Sequence, residues 1–193
     1  MDPDAGKLER HPSLDERFDP AIRIVEHDPG WAGRAQEELG RLAEALAPVA
    51  VRLEHVGSTA VPGFAAKPIL DLQLSIPAIE PRGRYVAPLE RLGYLFVPDP
   101  ESPDFHLFAK PAERPRSHHV HVCEAGSEHE FRHVALREYL RDNDDEAARY
   151  AALKRELVRR APQDRLAYIE AKKEYVRNLE ARAVRWARTE EVS

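Results

Sequence analysis

Residues 55–71 read HVGSTAVPGFAAKPILD, with two glycines and two prolines that break any regular element. Apolar runs before and after this stretch predict strands, so it is a loop between two strands. Where the loop leaves the first strand, Gly57 and Ser58 offer bare backbone N–H groups and a hydroxyl, which is what holding a phosphate requires. Lys67 would add positive charge to the same group. The stretch therefore predicts a phosphate-binding turn, with a plain tight turn as the alternative.

The surrounding pattern predicts an α/β or α+β fold. In the strand that follows the loop, three leucines alternate with Asp71, Gln73 and Ser75, so one face of the strand is apolar and the other polar. The predicted strands cover residues 51–56, 69–76, 94–97, 105–109 and 118–123, with a short β-like run over 22–25. The predicted helices cover residues 31–46, 85–92, 130–141, 145–160 and 164–187. Strands mixed with helices and then a run of helices predict a mixed sheet flanked by helices, with a helical C-terminal part.

Length and composition indicate one globular domain. The chain has 193 residues, of which 42% are hydrophobic and 33% charged. We expect a loosely packed or disordered arm over residues 1–20 and a single domain over 21–188, helical from about 128 to 188.

Charge and cysteine content exclude several classes of protein. The formal net charge is −5 with bases and acids interleaved, which argues against binding long nucleic acid. No signal peptide or membrane span is predicted, because the first ten residues contain no apolar run. Cys123 is the only cysteine, so a disulfide scaffold is excluded and the cytoplasm is the expected compartment. Its thiol is interpreted as inert packing, since a nucleophile needs a base that lowers its pKa.

Two histidines, His119 and His121, are two residues apart on a predicted strand and share one face. Together with Asp71 they could surround a metal ion, because two imidazoles and a carboxylate make a mononuclear site. The alternative is a structural role, in which each imidazole is hydrogen-bonded to a neighbouring group.

The C-terminal helices each turn a lysine toward the body of the protein. Lys172 interrupts the apolar stripe of the last helix, and Lys154 that of the preceding helix. With Arg137 on the first of the three, they could form a basic wall that receives phosphate or carboxylate. Salt bridges to Asp71 or Glu138 are the alternative.

The sequence resembles the GrpB-like family from about residue 22 to residue 183. The family motifs His-Ile/Val-Gly-Ser-Thr, Val-Pro-Gly, Ala-Ala-Lys-Pro and a strand Asp match residues 55–71. His-x-His-Val matches residues 119–122, and the Phe-Arg-Asp-Tyr-Leu helix is similar to residues 131–140. Tyr150 to Lys154, and Tyr168 with Lys172, complete the likeness. The resemblance adds His55 and Thr59 to the expected ligand-binding residues.

This resemblance implies a fold similar to that of the nucleotidyltransferase superfamily, although the family has no settled activity. In some bacteria such a domain is joined to dephospho-coenzyme A kinase. The expected partner is therefore a phosphorylated small molecule, either a nucleotide or a coenzyme A-related compound.

Nucleotidyltransferases bind their metal ions through two carboxylates two residues apart on a strand, and a third on a neighbouring strand. Asp71 matches the first position and is the expected catalytic residue, with Mg²⁺ or Mn²⁺, less readily Zn²⁺, as the ion. The second position is Gln73, which is neutral and a poor Mg²⁺ ligand. Three functions follow as hypotheses: metal-dependent nucleotidyl or phosphoryl transfer, a non-catalytic module that binds a ligand or partner, and a metal-dependent hydrolase.

Overall fold

The computed structural model describes residues 22–98, 104–111, 115–160, 162 and 164–190. The arm predicted over residues 1–20 lies outside these ranges. The helices are α1 (Gly30–Leu46), α2 (Val86–Arg91), α3 (Glu128–Asp142), α4 (Asp144–Arg160) and α5 (Arg165–Glu190). The strands are β1 (Arg52–Val56), β2 (Leu70–Ile76), β3 (Leu95–Val97), β4 (Phe105–Lys110) and β5 (His118–Glu124). The mixed α/β fold class is confirmed.

The five strands form one mixed sheet in the order β1-β2-β5-β4-β3. Strands β2 and β5 are parallel, whereas the other neighbouring pairs are antiparallel. Side chains of β2 and β5 that lie on the same face of the sheet are therefore neighbours across a parallel pair. Among the described residues, no helix has both the length and the apolar character needed to cross a membrane.

One face of the sheet packs on α1 and α2. The apolar stripe of α1 includes Trp31, Leu42 and Leu46, which are at most 3% exposed. They meet the leucines of β2 and the valines of β5 in one hydrophobic cluster. Burial of this apolar area is the main stabilising contribution on this side.

The opposite face of the sheet is polar in composition but is also covered. Helix α3 lies against it, and Gln73 and Ser75 of β2 are fully buried. A second hydrophobic cluster joins the loop after β1 to the C-terminal helices through Phe64, Tyr150 and Leu179, among others. The helical C-terminal part is thus a third layer, and the polar side chains of β2 and β5 lie beneath it.

The β-like run predicted over residues 22–25 forms only an isolated bridge between Val25 and Ala66. In an antiparallel ladder through that bridge, Arg23 would next pair with Pro68. Proline has no backbone N–H to donate, so the ladder ends there.

Candidate functional site

The turn after β1 is placed beside Asp71 by the register of the sheet. Val56, the last residue of β1, pairs with Asp71 in β2. Gly57 follows with a φ of 70°, a left-handed conformation that favours glycine. The residues Ser58 to Ala60 then form one 3₁₀ turn. The predicted phosphate-binding turn and the predicted catalytic carboxylate therefore lie next to each other.

Asp71 is also in contact with both predicted metal-binding histidines. The parallel register pairs Asp71 with His119 and Gln73 with His121. Oδ1 of Asp71 lies 3.1 Å from Nδ1 of His119 and 3.5 Å from Nε2 of His121. The Asp71 side chain is 28% exposed, and each histidine side chain is 16% exposed. The three residues predicted as a metal site are thus together at the rim of the covered face.

The charges in this group follow from burial and hydrogen bonding. Burial acts to raise the pKa of Asp71, but hydrogen bonds from His119 and His121 outweigh it and hold the pKa well below its ordinary value. Burial lowers the pKa of His119, more than the Asp71 carboxylate raises it. The arrangement at neutral pH is therefore an ionised Asp71 that accepts one N–H bond from His119, whose imidazole is neutral, and one from His121.

This arrangement determines where the imidazole lone pairs lie. A carboxylate only accepts, so Nδ1 of His119 and Nε2 of His121 carry the protons that face Asp71. The remaining nitrogens, Nε2 of His119 and Nδ1 of His121, are buried and have no hydrogen-bond partner among the described residues. The lone pair on Nε2 of the neutral His119 is therefore available to a further ligand.

Two histidines of α3, His129 and His133, approach His121 and were not among the predicted site residues. One ring nitrogen of each lies within 4.8 Å of a ring nitrogen of each of the others. The ring centroids are 4.2 Å apart for His129 and His133, 4.8 Å for His121 and His133, and 6.1 Å for His121 and His129. We refer to His121, His129 and His133 as the histidine cluster.

A sequence signal for the histidine cluster does exist. Residues 129–133 read HEFRH, and histidines four apart on a helix share one face, a spacing that is typical of zinc-binding helices. In such enzymes the glutamate of the motif is a general base. Here Glu130 instead accepts from the backbone N–H of Gly126 and pairs with Arg52. The motif therefore supplies two imidazoles, while its glutamate binds the turn before α3, whose N-cap is Ser127.

Lys154 lies directly beside the turn after β1. Its ammonium donates to Oγ of Ser58 at 3.2 Å and to the carbonyl oxygen of Ala65 at 2.6 Å, and lies over the ring of Phe64. The residue is 3% exposed. Burial, and then the positive charge of Lys172, lower the pKa of Lys154 to about 7. A buried ammonium whose described hydrogen-bond partners are neutral could receive an anion.

Two further lysines lie close to Lys154. The ammonium groups of Lys67 and Lys172 lie 4.5 Å and 5.7 Å from the centroid of the Tyr168 ring. The positive charges of both act to lower the pKa of Lys154, which places them in the same electrostatic neighbourhood. The structure thus brings together Ser58, Lys67, Lys154 and Lys172 of the predicted ligand-binding residues. We refer to the three lysines as the lysine cluster.

Arg137 has a different environment. Its guanidinium pairs with Glu54 and Glu138, and donates to the carbonyl oxygen of His55 at 2.8 Å. The salt bridge to Glu138, which is the alternative predicted from sequence, is therefore present. Arg137 thus links the end of β1 to α3, and its positive charge is paired with the carboxylates of Glu54 and Glu138.

His55 and Thr59 brace the turn from within. Oγ1 of Thr59 donates to the carbonyl oxygen of Ile69 and lies 3.0 Å from Nε2 of His55. Because Thr59 donates its hydroxyl proton to Ile69, the hydrogen bond between Thr59 and His55 is donated by Nε2–H of His55. Burial lowers the pKa of His55 to about 4, so the imidazole is neutral at pH 7. These contacts fix the turn relative to the start of β2.

Two other polar residues of the covered face have structural roles. Nε2 of Gln73 donates to the carbonyl oxygen of Glu130 at 3.4 Å, so the neutral amide at the second carboxylate position faces the first turn of α3. Burial raises the pKa of the Cys123 thiol to about 11. A thiol that stays protonated at pH 7 is a poor nucleophile, in agreement with the interpretation of Cys123 as packing.

Comparisons with known proteins support the family resemblance and the fold class. A family model described as "GrpB protein" matches residues 21–182. A UPF0157 protein of Pseudomonas aeruginosa is 40% identical over 169 residues, which are 86% of this chain and 69% of the relative. The crystal structure of a conserved protein GrpB from Enterococcus faecalis superimposes with a TM-score of 0.78 at 31% identity, covering 86% of this chain and 99% of that one.

A protein named dephospho-CoA kinase from Mycolicibacterium paratuberculosis is 31% identical over 193 residues. The alignment covers 86% of this chain but 47% of that relative. The matched family range includes every candidate site residue described above, from His55 to Lys172.

Proposed function

Because the chain belongs to the GrpB family, whose model spans the whole candidate site, we propose that it binds a phosphorylated small molecule at the turn after β1. The phosphate would lie between Ser58 and the lysine cluster. A nucleotide or a coenzyme A-related compound is the proposed ligand class, and the cytoplasm, a reducing compartment, is the proposed location.

The observation that carries this proposal is the buried ammonium of Lys154. It is 3% exposed, and among the described residues it donates only to the neutral oxygens of Ser58 and Ala65. Burying a cation that has no hydrogen-bonded counter-charge is costly, and the effects of burial and of the neighbouring positive charges on the pKa of Lys154 outweigh that of the Asp71 carboxylate. A bound phosphate would offset both the cost of burying the ammonium and the repulsion between the positive charges. Its effect would be strongest where water is excluded.

The choice of ligand class rests on a relative. Dephospho-CoA kinase is the name of a Mycolicibacterium paratuberculosis protein that contains a region similar to this chain. This region covers less than half of that relative, so the kinase activity of the whole protein is not transferred. Dephospho-coenzyme A and coenzyme A are nevertheless the first compounds to test, beside ATP.

A second candidate function is metal-dependent nucleotidyl or phosphoryl transfer, with Asp71 as the catalytic carboxylate. The ionised state of Asp71 and its contacts with His119 and His121 favour this candidate, since a carboxylate and two imidazoles could hold a divalent ion, Mn²⁺ more readily than Mg²⁺, beside the phosphate. The buried neutral Gln73 argues for binding without transfer, because a two-metal mechanism needs more anionic ligands.

The proposal is tested by thermal unfolding of untagged protein with ATP, coenzyme A, dephospho-coenzyme A and pyrophosphate, each with and without Mg²⁺ or Mn²⁺. A ligand that binds the folded state raises the unfolding temperature in a concentration-dependent way. We expect Lys154→Met and Lys172→Met to weaken binding roughly 10- to 100-fold, the effect of one lost charge-assisted hydrogen bond.

Lys173→Met is the matched control, because Lys173 pairs with Glu170 on the same helix. It should bind the ligand within about 2-fold of the parent, as exposed pairs contribute little. If no compound raises the unfolding temperature, or if Lys154→Met binds as the parent does, the proposal is wrong. A shift that requires metal and is lost in Asp71→Asn would favour the transfer candidate.

A further inference from the structure

The histidine cluster contains three buried nitrogens that the protein leaves without hydrogen bonds. They are Nδ1 of His121, Nε2 of His129 and Nδ1 of His133, with no partner among the described residues. An unsatisfied buried polar atom costs about 1–3 kcal/mol, so native structures contain few of them. Three on neighbouring rings indicate that something other than the protein satisfies them.

The chemistry of these rings suits a cationic partner. Neutral imidazole has one nitrogen with a lone pair, and that lone pair binds metal ions. The ring of Phe105 stacks on His129 with centroids 4.2 Å apart, which limits the rotation of His129.

In two of the three rings, a carboxylate lies near the nitrogen that is not left unsatisfied. Nε2 of His121 lies 3.5 Å from Oδ1 of Asp71, and Nδ1 of His129 lies 3.8 Å from Oδ2 of Asp104. Nη2 of Arg132 lies 3.4 Å from both Nδ1 of His129 and Oδ2 of Asp104 and can only donate, so Nδ1 of His129 accepts here, and metal binding by Nε2 requires that the ring proton move to Nδ1. Metal-binding histidines commonly donate their second N–H to a carboxylate, which fixes the ring and strengthens the ligand.

We propose that His121, His129 and His133 bind one transition-metal ion of the Zn²⁺ class, with Asp71 and Asp104 as outer carboxylates. Imidazole nitrogens select Zn²⁺ and related ions over Mg²⁺, which prefers oxygen ligands. Tetrahedral Zn–N bonds of about 2.0–2.1 Å place ligand nitrogens roughly 3.4 Å apart. One nitrogen of each ring lies within 4.8 Å of one nitrogen of each of the others, so the rings must move closer together to reach that spacing.

This site differs from the Asp71, His119 and His121 arrangement of the transfer candidate. Both use His121, but here Asp71 orients a ligand instead of binding the ion, and His119 takes no part. Three neutral ligands leave the ion its full charge and a fourth position for water or an anion. The inference does not rest on phosphate binding by the lysine cluster.

The test is a titration of untagged, chelator-treated protein with Zn²⁺ by calorimetry, and with Co²⁺ by visible absorption. We expect one ion per chain and a Co²⁺ spectrum of tetrahedral type. His129→Gln and His133→Gln should each weaken binding by at least about 100-fold. His119→Gln and His106→Gln should bind as the parent does, since His106 is hydrogen-bonded to Tyr85 away from the cluster.

Three results would overturn the inference. One is the absence of Zn²⁺ and Co²⁺ binding. Another is loss of binding in His119→Gln while His129→Gln and His133→Gln retain it, which would assign the ion to the Asp71 and His119 side. The third comes from His129→Cys, which replaces one ligand by another and should add a sulfur-to-cobalt charge-transfer band. A folded His129→Cys protein without that band contradicts the site.

Lys154→Met separates this inference from the proposed function. The variant should lose affinity for the phosphate compounds and keep the affinity of the parent for Zn²⁺. Failure of the phosphate experiment would therefore leave the metal result unaffected, and failure of the metal titration would leave the phosphate result unaffected.

Discussion

A Cβ atom on Gly57 would lie 2.7 Å from Oδ2 of Asp71 and 2.9 Å from its Cβ. The backbone of the turn therefore touches the carboxylate side chain directly. Two conditions select glycine here, the left-handed backbone and the absence of space for any side chain. The turn and the carboxylate are therefore packed in direct contact.

Gly57→Ala should destabilise the protein more than Gly63→Ala. Both glycines are left-handed, with φ of 70° and 71°, but nothing lies within 4 Å of a Cβ on Gly63. We expect Gly63→Ala to cost about 1–2 kcal/mol, the backbone penalty alone. Gly57→Ala should cost at least about 1 kcal/mol more and shift the imidazole NMR signals of His119 and His121. Urea unfolding measures the costs, and equal values would contradict the contact.

Lys154→Met should change how stability depends on pH. The pKa of Lys154 is lowered to about 7 in the folded protein from an ordinary value of 10.5. Between these values the unfolded chain binds more protons, so the free energy of unfolding rises with pH across this window and is unaffected below it. The parent should gain on the order of 1–3 kcal/mol relative to the variant as the pH rises from about 7 to 10.

Urea unfolding at several pH values gives both curves, and Lys173→Met is the control. Its curve should run parallel to that of the parent. If the Lys154→Met curve also runs parallel, the ammonium of Lys154 is not desolvated as the structure describes.

Gln73→Asp should be far more costly than Gln73→Met. Gln73 is fully buried, and its amide faces the carbonyl oxygen of Glu130. A carboxylate there would be a buried charge facing an acceptor, with an expected cost of at least about 3 kcal/mol. Methionine fills a similar volume without charge and should cost less than about 1.5 kcal/mol. Chemical unfolding compares them. An aspartate tolerated as well as methionine would instead indicate a cation beside Asp71 and favour the two-metal mechanism.

Glu130→Ala should lower stability and leave Zn²⁺ affinity unchanged. Its carboxylate accepts from Gly126 N–H before α3 and from Arg52, so its removal should cost about 1.5–3 kcal/mol, as for other hydrogen bonds to a charged group. Glu128→Ala is the matched control in the same turn, since Glu128 is 71% exposed and pairs only at the surface with Arg188. Unfolding and Zn²⁺ titration check both variants. Unchanged stability with loss of a metal-dependent reaction would mean that Glu130 is a general base.

Sequence patterns located the secondary structure well because they report local properties. The alternation of leucines with Asp71, Gln73 and Ser75 predicts β2, and the apolar stripe from Trp31 to Leu46 predicts α1. The structure starts and ends those elements within one residue of the predicted bounds. The same periodicity could not show that the polar face of β2 is covered, since a second layer is a property of the whole chain.

For the candidate site too, the sequence predicts individual motifs but not the contacts between them. Sequence alone determined the Gly-Ser turn, Asp71 on a strand, the histidine pair and the inward lysines, because each is a short motif with its own spacing. Only the tertiary structure decided which of them meet. The register of β1, β2 and β5 brings Gly57, His119 and His121 to Asp71, the docking of α4 brings Lys154 to Ser58, and α3 brings His129 and His133 to His121. Such contacts depend on burial between distant segments, which no local pattern encodes.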